Sequence, residues 1–145
     1  MSRPRGTMTE TQKTSDGADR QKLLIVDDDS YWAEALRQFF SDKYDVEVVN
    51  SAAEALDKLR HEVPAVVIVD LVMPVIDGFG LMRRLSDGAS VPVPMILLTG
   101  WKTAEVEQCA ASFGCAAVLG KTVDPGILEQ VVAAVVEHQS LTPVH

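Results

Sequence analysis

The chain is poor in the residues that build covalent or soft-metal chemistry: its 145 residues include two cysteines and three histidines. Cys109 and Cys115 are spaced as neither a CxxC motif nor half of a zinc site, so they are expected to be reduced core thiols. His61, His138 and His145 are scattered and match no ligand spacing. No apolar stretch approaches the roughly 18 residues a membrane span requires, and the N-terminus lacks the apolar h-region of a signal peptide. Residues 1–20 read as a disordered tail of a cytoplasmic protein. Basic side chains are also scarce, 13 against 21 acidic ones, and the formal charge of −8 has the wrong sign for a nonspecific nucleic-acid binder.

What is present is an ordinary globular balance of 47% hydrophobic and 23% charged residues in a length suited to one domain. Residues 1–20 carry four basic and three acidic side chains, leaving nine and eighteen for the remainder, so the foldable part is the acidic part. Acidity by itself favours solubility. Three of the carboxylates, however, are consecutive: Asp27, Asp28 and Asp29 follow the apolar run KLLIV.

That run, residues 22–26, predicts a strand, and Ser30 to Phe40 places Trp32, Ala35, Leu36 and Phe39 at helical spacing, with Trp32 and Phe39 expected in the core. Tyr44 to Val49 reads as a strand and Ala52 to Arg60 as a helix N-capped by Ser51. Ala65 to Val69, apolar throughout as befits a parallel strand buried on both faces, ends at Asp70. The alternation continues with Gly78 to Leu85, Thr103 to Phe113 and Ile127 to Glu137 as helices, and Val93 to Leu98 and Ala116 to Leu119 as strands. Asp124 and Pro125 open the last helix. Five strand–helix units predict an α/β, doubly wound parallel sheet with helices on both faces.

In such a sheet of order 2-1-3-4-5, ligands sit beyond the carboxyl ends of the strands, at the switch point between strands one and three. Asp27, Asp28 and Asp70 meet there, and three carboxylates would repel one another without a cation. An all-oxygen cluster favours a hard ion, Mg²⁺ fitting best. Thr99 and Gly100 add a hydroxyl and a little-shielded backbone N–H after the fourth strand, and Lys121 adds an ammonium after the fifth. Such a set around one carboxylate suits phosphoryl transfer, with Asp70 as nucleophile.

The segments LLIVDDD, VVIVDLVMPVIDGFGLMRRL, ILLTG and VLGK, taken in order, resemble the receiver domain of two-component response regulators over about residues 22 to 139. The strand Asp followed by Met73-Pro74 and Asp77-Gly78 is the most specific piece. The resemblance implies a stand-alone flavodoxin-like receiver at 21–140, between the tail at 1–20 and a short tail at 141–145. It implies that Asp70 accepts a phosphoryl group from a phosphohistidine on a sensor histidine kinase or a histidine phosphotransfer protein. Asp28 would ligate Mg²⁺ directly, Asp27 through a water, and Val72 through its backbone carbonyl. Thr99, Gly100 and Lys121 would bind the phosphoryl group, Asp29 would cap the first helix, and an unidentified downstream protein would read the signal.

Two positions depart from the family pattern. Val118 stands where receivers commonly carry an aromatic switch residue, and Thr122 follows Lys121 where a cis proline is usual. Apolar side chains at Val72 and Trp101 cannot orient a hydrolytic water, so slow self-dephosphorylation is expected. Two other functions compete: a receiver-like adaptor that works without phosphorylation, and an aspartate-nucleophile phosphohydrolase using Asp27 and Asp29 as a D-x-D pair.

Overall fold

The computed structural model describes residues 20–71, 78–88, 93–100, 102–121 and 123–141. Its strands are β1 (Gln21–Val26), β2 (Tyr44–Val49), β3 (Val66–Asp70), β4 (Met95–Thr99) and β5 (Ala117–Gly120). The helices are α1 (Ser30–Phe40), α2 (Ala52–His61), α3 (Gly78–Gly88), α4 (Ala104–Ser112) and α5 (Pro125–Leu141). All pairings are parallel and the order is β2-β1-β3-β4-β5, the doubly wound arrangement expected from the alternation of elements. Element ends fall within a few residues of the predicted ones; α5 extends furthest beyond its prediction, from Pro125 to Leu141.

The two-residue period of the strands divides the core in two. Leu24, Val26, Val67, Val69 and Leu97 face one way, under Ala52 and Ala55 of α2, Leu81 and Met82 of α3, and Ala110 of α4. Leu23, Ile25, Ile68, Ile96 and Leu98 face the other, under Ala33, Leu36 and Phe40 of α1 and Leu128 and Val132 of α5. β1 and β3 lie inside the sheet, and β3 is buried at every residue.

The buried stripe of α1 differs from the expected one. It runs through Ala33, Leu36 and Phe40, while Phe39 is 43% exposed, Trp32 is half-buried and Ala35 points to solvent. Phe39 and Phe40 are adjacent aromatics, and about 100° of helix rotation decides which one reaches the sheet; Phe40 does so and meets the Tyr44 ring edge-on at 5.9 Å. The cysteines are likewise marginal to the core: both are free and half-buried, with Cys115 Sγ 3.1 Å from the Ala117 carbonyl.

The predicted caps are present. Asp29 Oδ1 accepts from the Trp32 N–H at 3.2 Å, Ser51 Oγ from the Glu54 N–H at 3.1 Å, and Asp124 Oδ2 from the Gly126 N–H at 3.0 Å. Asp29 therefore uses its carboxylate to satisfy the first turn of α1. Gly114, just after α4, adopts φ of 80°, a left-handed conformation that closes the helix and turns the chain into β5.

Candidate functional site

The carboxyl ends of β1, β3, β4 and β5 lie side by side, and each delivers a polar residue to one crevice. The register sets their level: Val26 pairs with Val69, Asp70 with Leu98, and Thr99 with Gly120. Backbone bonds beyond the strands hold the rim together, with the Lys121 N–H donating to the Thr99 carbonyl at 2.7 Å and the Leu71 N–H to the Leu98 carbonyl at 3.0 Å.

Asp27 and Asp70 are almost fully buried there, at 1% and 7% exposure, whereas Asp28 is exposed. Each of the three can offer a carboxylate oxygen within 4.8 Å of the others. The Lys121 ammonium lies 3.1 Å from Asp27 Oδ2 and 3.3 Å from Asp70 Oδ2, bridging the two buried carboxylates. Asp27 Oδ1 accepts the Asp29 N–H at 2.8 Å, and the Asn50 side-chain amide donates to the Asp27 backbone carbonyl at 3.2 Å.

Burial pushes the Asp27 carboxyl up to about 6, and the nearby Asp70 charge adds to the effect; the Asp29 N–H and Lys121 act in the opposite sense. Burial also works against the Lys121 ammonium, but Asp27 and Asp70 outweigh it and hold the amine above the ordinary lysine value.

The cluster fits a hard divalent cation. Its donors are all carboxylate oxygens, and Asp27 Oδ2 is buried with the Lys121 ammonium at 3.1 Å as its polar neighbour among the described residues. Asp27, Asp28 and Asp70 are the described residues able to hold such an ion. Thr99 is buried at the end of β4, and the exposed Gly100 that follows it has open space where a Cβ would stand, with no atom within 4 Å.

Of the residues predicted for the site, the structure therefore brings together Asp27, Asp28, Asp70 and Lys121, with Thr99 and Gly100 on the same rim. Asp29 stands apart as a helix cap. Val72, Trp101 and Thr122 lie outside the described residues, as do Met73, Pro74 and Asp77. Val118 is half-buried against the α2–α3–α4 side of the core. Asn50 is a contact that sequence reasoning missed. An asparagine between a strand and a helix cap reads as an ordinary turn residue, and its link to Asp27 spans 23 positions.

A parallel sheet of this order, with an acidic switch-point cluster and a lysine after its fifth strand, defines the class to which the chain belongs: residues 23–133 match the response regulator receiver domain, and the protein is a member of that family. Among individual relatives, it is 34% identical over 122 residues to response regulator Rre1 of Synechocystis sp., covering 81% of this chain and 52% of that one. It is 32% identical over 103 residues to protein-glutamate methylesterase/protein-glutamine glutaminase 5 of Myxococcus xanthus, covering 69% of this chain and 30% of that one. The chain thus spans about half or less of these relatives' length. Its fold superimposes on a CheY-like receiver domain protein from Methanospirillum hungatei with a TM-score of 0.79 at 24% identity, covering 84% and 98% of the two chains. The receiver domain of the Francisella response regulator 1452 gives 0.78 at 24% identity, covering 83% and 99%.

Proposed function

We propose that the protein is an Mg²⁺-dependent phosphoacceptor in two-component signalling, with Asp70 as the residue phosphorylated. The observation that carries this reading is the Lys121 ammonium lying between the buried carboxylates of Asp27 and Asp70 beside exposed Asp28. In the transfer, an Asp70 carboxylate oxygen forms a bond to the phosphorus of a phosphohistidine. The phosphorus–nitrogen bond breaks, and the imidazole leaves with its electron pair and takes up a proton. In this reading Lys121 holds the incoming phosphoryl oxygens, and the Thr99 hydroxyl and Gly100 N–H donate to them. Asp28 would hold Mg²⁺ directly, Asp27 through a water and, as the family resemblance implies, Val72 through its carbonyl; the charge neutralisation that a cation supplies would then fall beside Asp70.

The donor is a sensor histidine kinase or a phosphotransfer protein, and the output is altered binding to another protein. A cytoplasmic setting agrees with this, and no helix among the described residues is long and apolar enough to cross a membrane. The capping role of Asp29 weighs against a phosphohydrolase built on an Asp27–Asp29 pair. Val118 lacks the ring that usually follows the threonine inward, so the signal runs through α4 and the residues that precede it in sequence, Trp101 among them. Apolar Val72 and Trp101 leave the acyl phosphate long-lived, and Val72→Asn or Trp101→Glu should hasten its decay; unchanged decay in both would remove this point.

The deciding experiment is incubation with acetyl phosphate and Mg²⁺, followed by intact-mass measurement. A gain of one phosphoryl group that is labile to base and absent in Asp70→Asn is the expected result. No gain in the wild type would favour an adaptor that works without phosphorylation. Turnover that survives Asp70→Asn but is lost in Asp27→Asn would favour the phosphohydrolase.

A further inference from the structure

Asp28 is the carboxylate of the cluster that no described residue holds. Asp27 is fixed at both oxygens, by the Asp29 N–H and by Lys121, and Asp70 is buried and ion-paired. The Asp28 side chain is exposed and makes neither a hydrogen bond nor an ion pair with any described residue. Its placement therefore depends on its backbone. The peptide unit joining Asp27 to Asp28 is planar, so the direction of its carbonyl sets the direction in which the Asp28 Cα departs. That carbonyl accepts the Asn50 side-chain amide at 3.2 Å, while the Asp27 N–H donates to the Val49 carbonyl at 3.1 Å. Two consecutive residues at the end of β2 thus clamp both backbone polar groups of Asp27.

Asn50 is itself anchored. Its N–H donates to Glu54 Oε1 at 3.0 Å, and Ser51 Oγ accepts the Glu54 N–H at 3.1 Å, so Asn50 is tied to the first turn of α2 by a reciprocal capping arrangement. We infer that Asn50 is a positioning residue, which presents Asp28 to the cation by holding the Asp27–Asp28 peptide plane. It touches neither cation nor phosphoryl group. This role rests on the cation-binding part of the function proposed above.

The test is an Mg²⁺ titration of the full chain by calorimetry, run beside acetyl phosphate labelling at varied Mg²⁺. Asn50→Ala and the near-isosteric Asn50→Leu should weaken Mg²⁺ binding about 3- to 10-fold, as expected for one lost hydrogen bond, and leave labelling at saturating Mg²⁺ within about twofold of wild type. Asn50→Gln, which keeps a donor, should restore most of the affinity. Ser51→Ala removes the helix cap alone and should lower the melting temperature without changing Mg²⁺ affinity. Unchanged affinity in both donor-less variants would overturn the inference, as would equal weakening in Ser51→Ala, which would mark a general effect of loosening α2. If the wild type binds Mg²⁺ but is not labelled, the phosphoacceptor reading fails while the titration still decides the role of Asn50. If it binds no Mg²⁺, both fall.

Discussion

Asp27 is a buried carboxylate whose burial outweighs the hydrogen bond and the ammonium beside it, raising its pKa to about 6. Between about pH 4, where the unfolded chain releases this proton, and pH 6, the folded chain still holds it. Asp27 therefore makes the cation-free protein less stable as pH rises through that window, by on the order of 2–3 kcal/mol once deprotonation is complete. Asp27→Asn should be the more stable protein at pH 7 without divalent cations, and the advantage should vanish toward pH 4. Paired urea titrations at the two pH values measure this; a constant difference would contradict it. The chemical residues themselves were legible in sequence, because Asp27, Asp28, Asp70, Thr99 and Lys121 each follow or end an apolar strand. The clamp by Asn50 was not, since nothing local to residue 50 records which carbonyl its amide reaches.

Helix α4 stands out among the helices by how little of it is buried: Ala110 is its one fully buried residue, with Val106 and Cys109 half-covered. A helix with few apolar contacts opens at lower free energy than the sheet beneath it. Its N-terminus is held by the Thr103 hydroxyl, which accepts the Val106 N–H at 3.2 Å. Thr103→Ala should cost about 1 kcal/mol, and amide exchange should locate the loss in α4, with β3 unaffected. At the other end, Gly114→Ala should destabilise by about 1 kcal/mol from backbone conformation, because the added methyl group meets no neighbour. Urea denaturation reads that change directly. The α1 stripe shows where sequence periodicity stops short of element geometry: residues 32, 35, 36 and 39 and residues 33, 36 and 40 are both helical patterns. The preference of the Phe40 ring for the pocket beside Tyr44 is a tertiary fact.

For the molecule as a whole, one sheet carries two cores. Continuous apolar strands announced that both faces would be covered, and regular alternation with helices announced parallel pairing, so the doubly wound topology was legible before any contact was known. Leu36 is fully buried on the α1–α5 side, and Leu36→Ala should lower global stability by about 2–5 kcal/mol. Cation binding provides an independent measure at this scale. Mg²⁺ at 100 times its dissociation constant should add about 2.7 kcal/mol to the unfolding free energy, an increment that Asp28→Ala should abolish in calorimetric scans.

The bridging lysine has a consequence for which ions the crevice can accept. Asp27, Asp28 and Asp70 with Lys121 leave it two negative charges from electroneutrality at neutral pH. A monovalent ion corrects half of that imbalance and a divalent ion all of it. Potassium chloride should therefore displace Mg²⁺ far less effectively than its concentration suggests. Had the lysine been absent, a single divalent ion would have left the crevice still anionic and poorly receptive to a phosphoryl group.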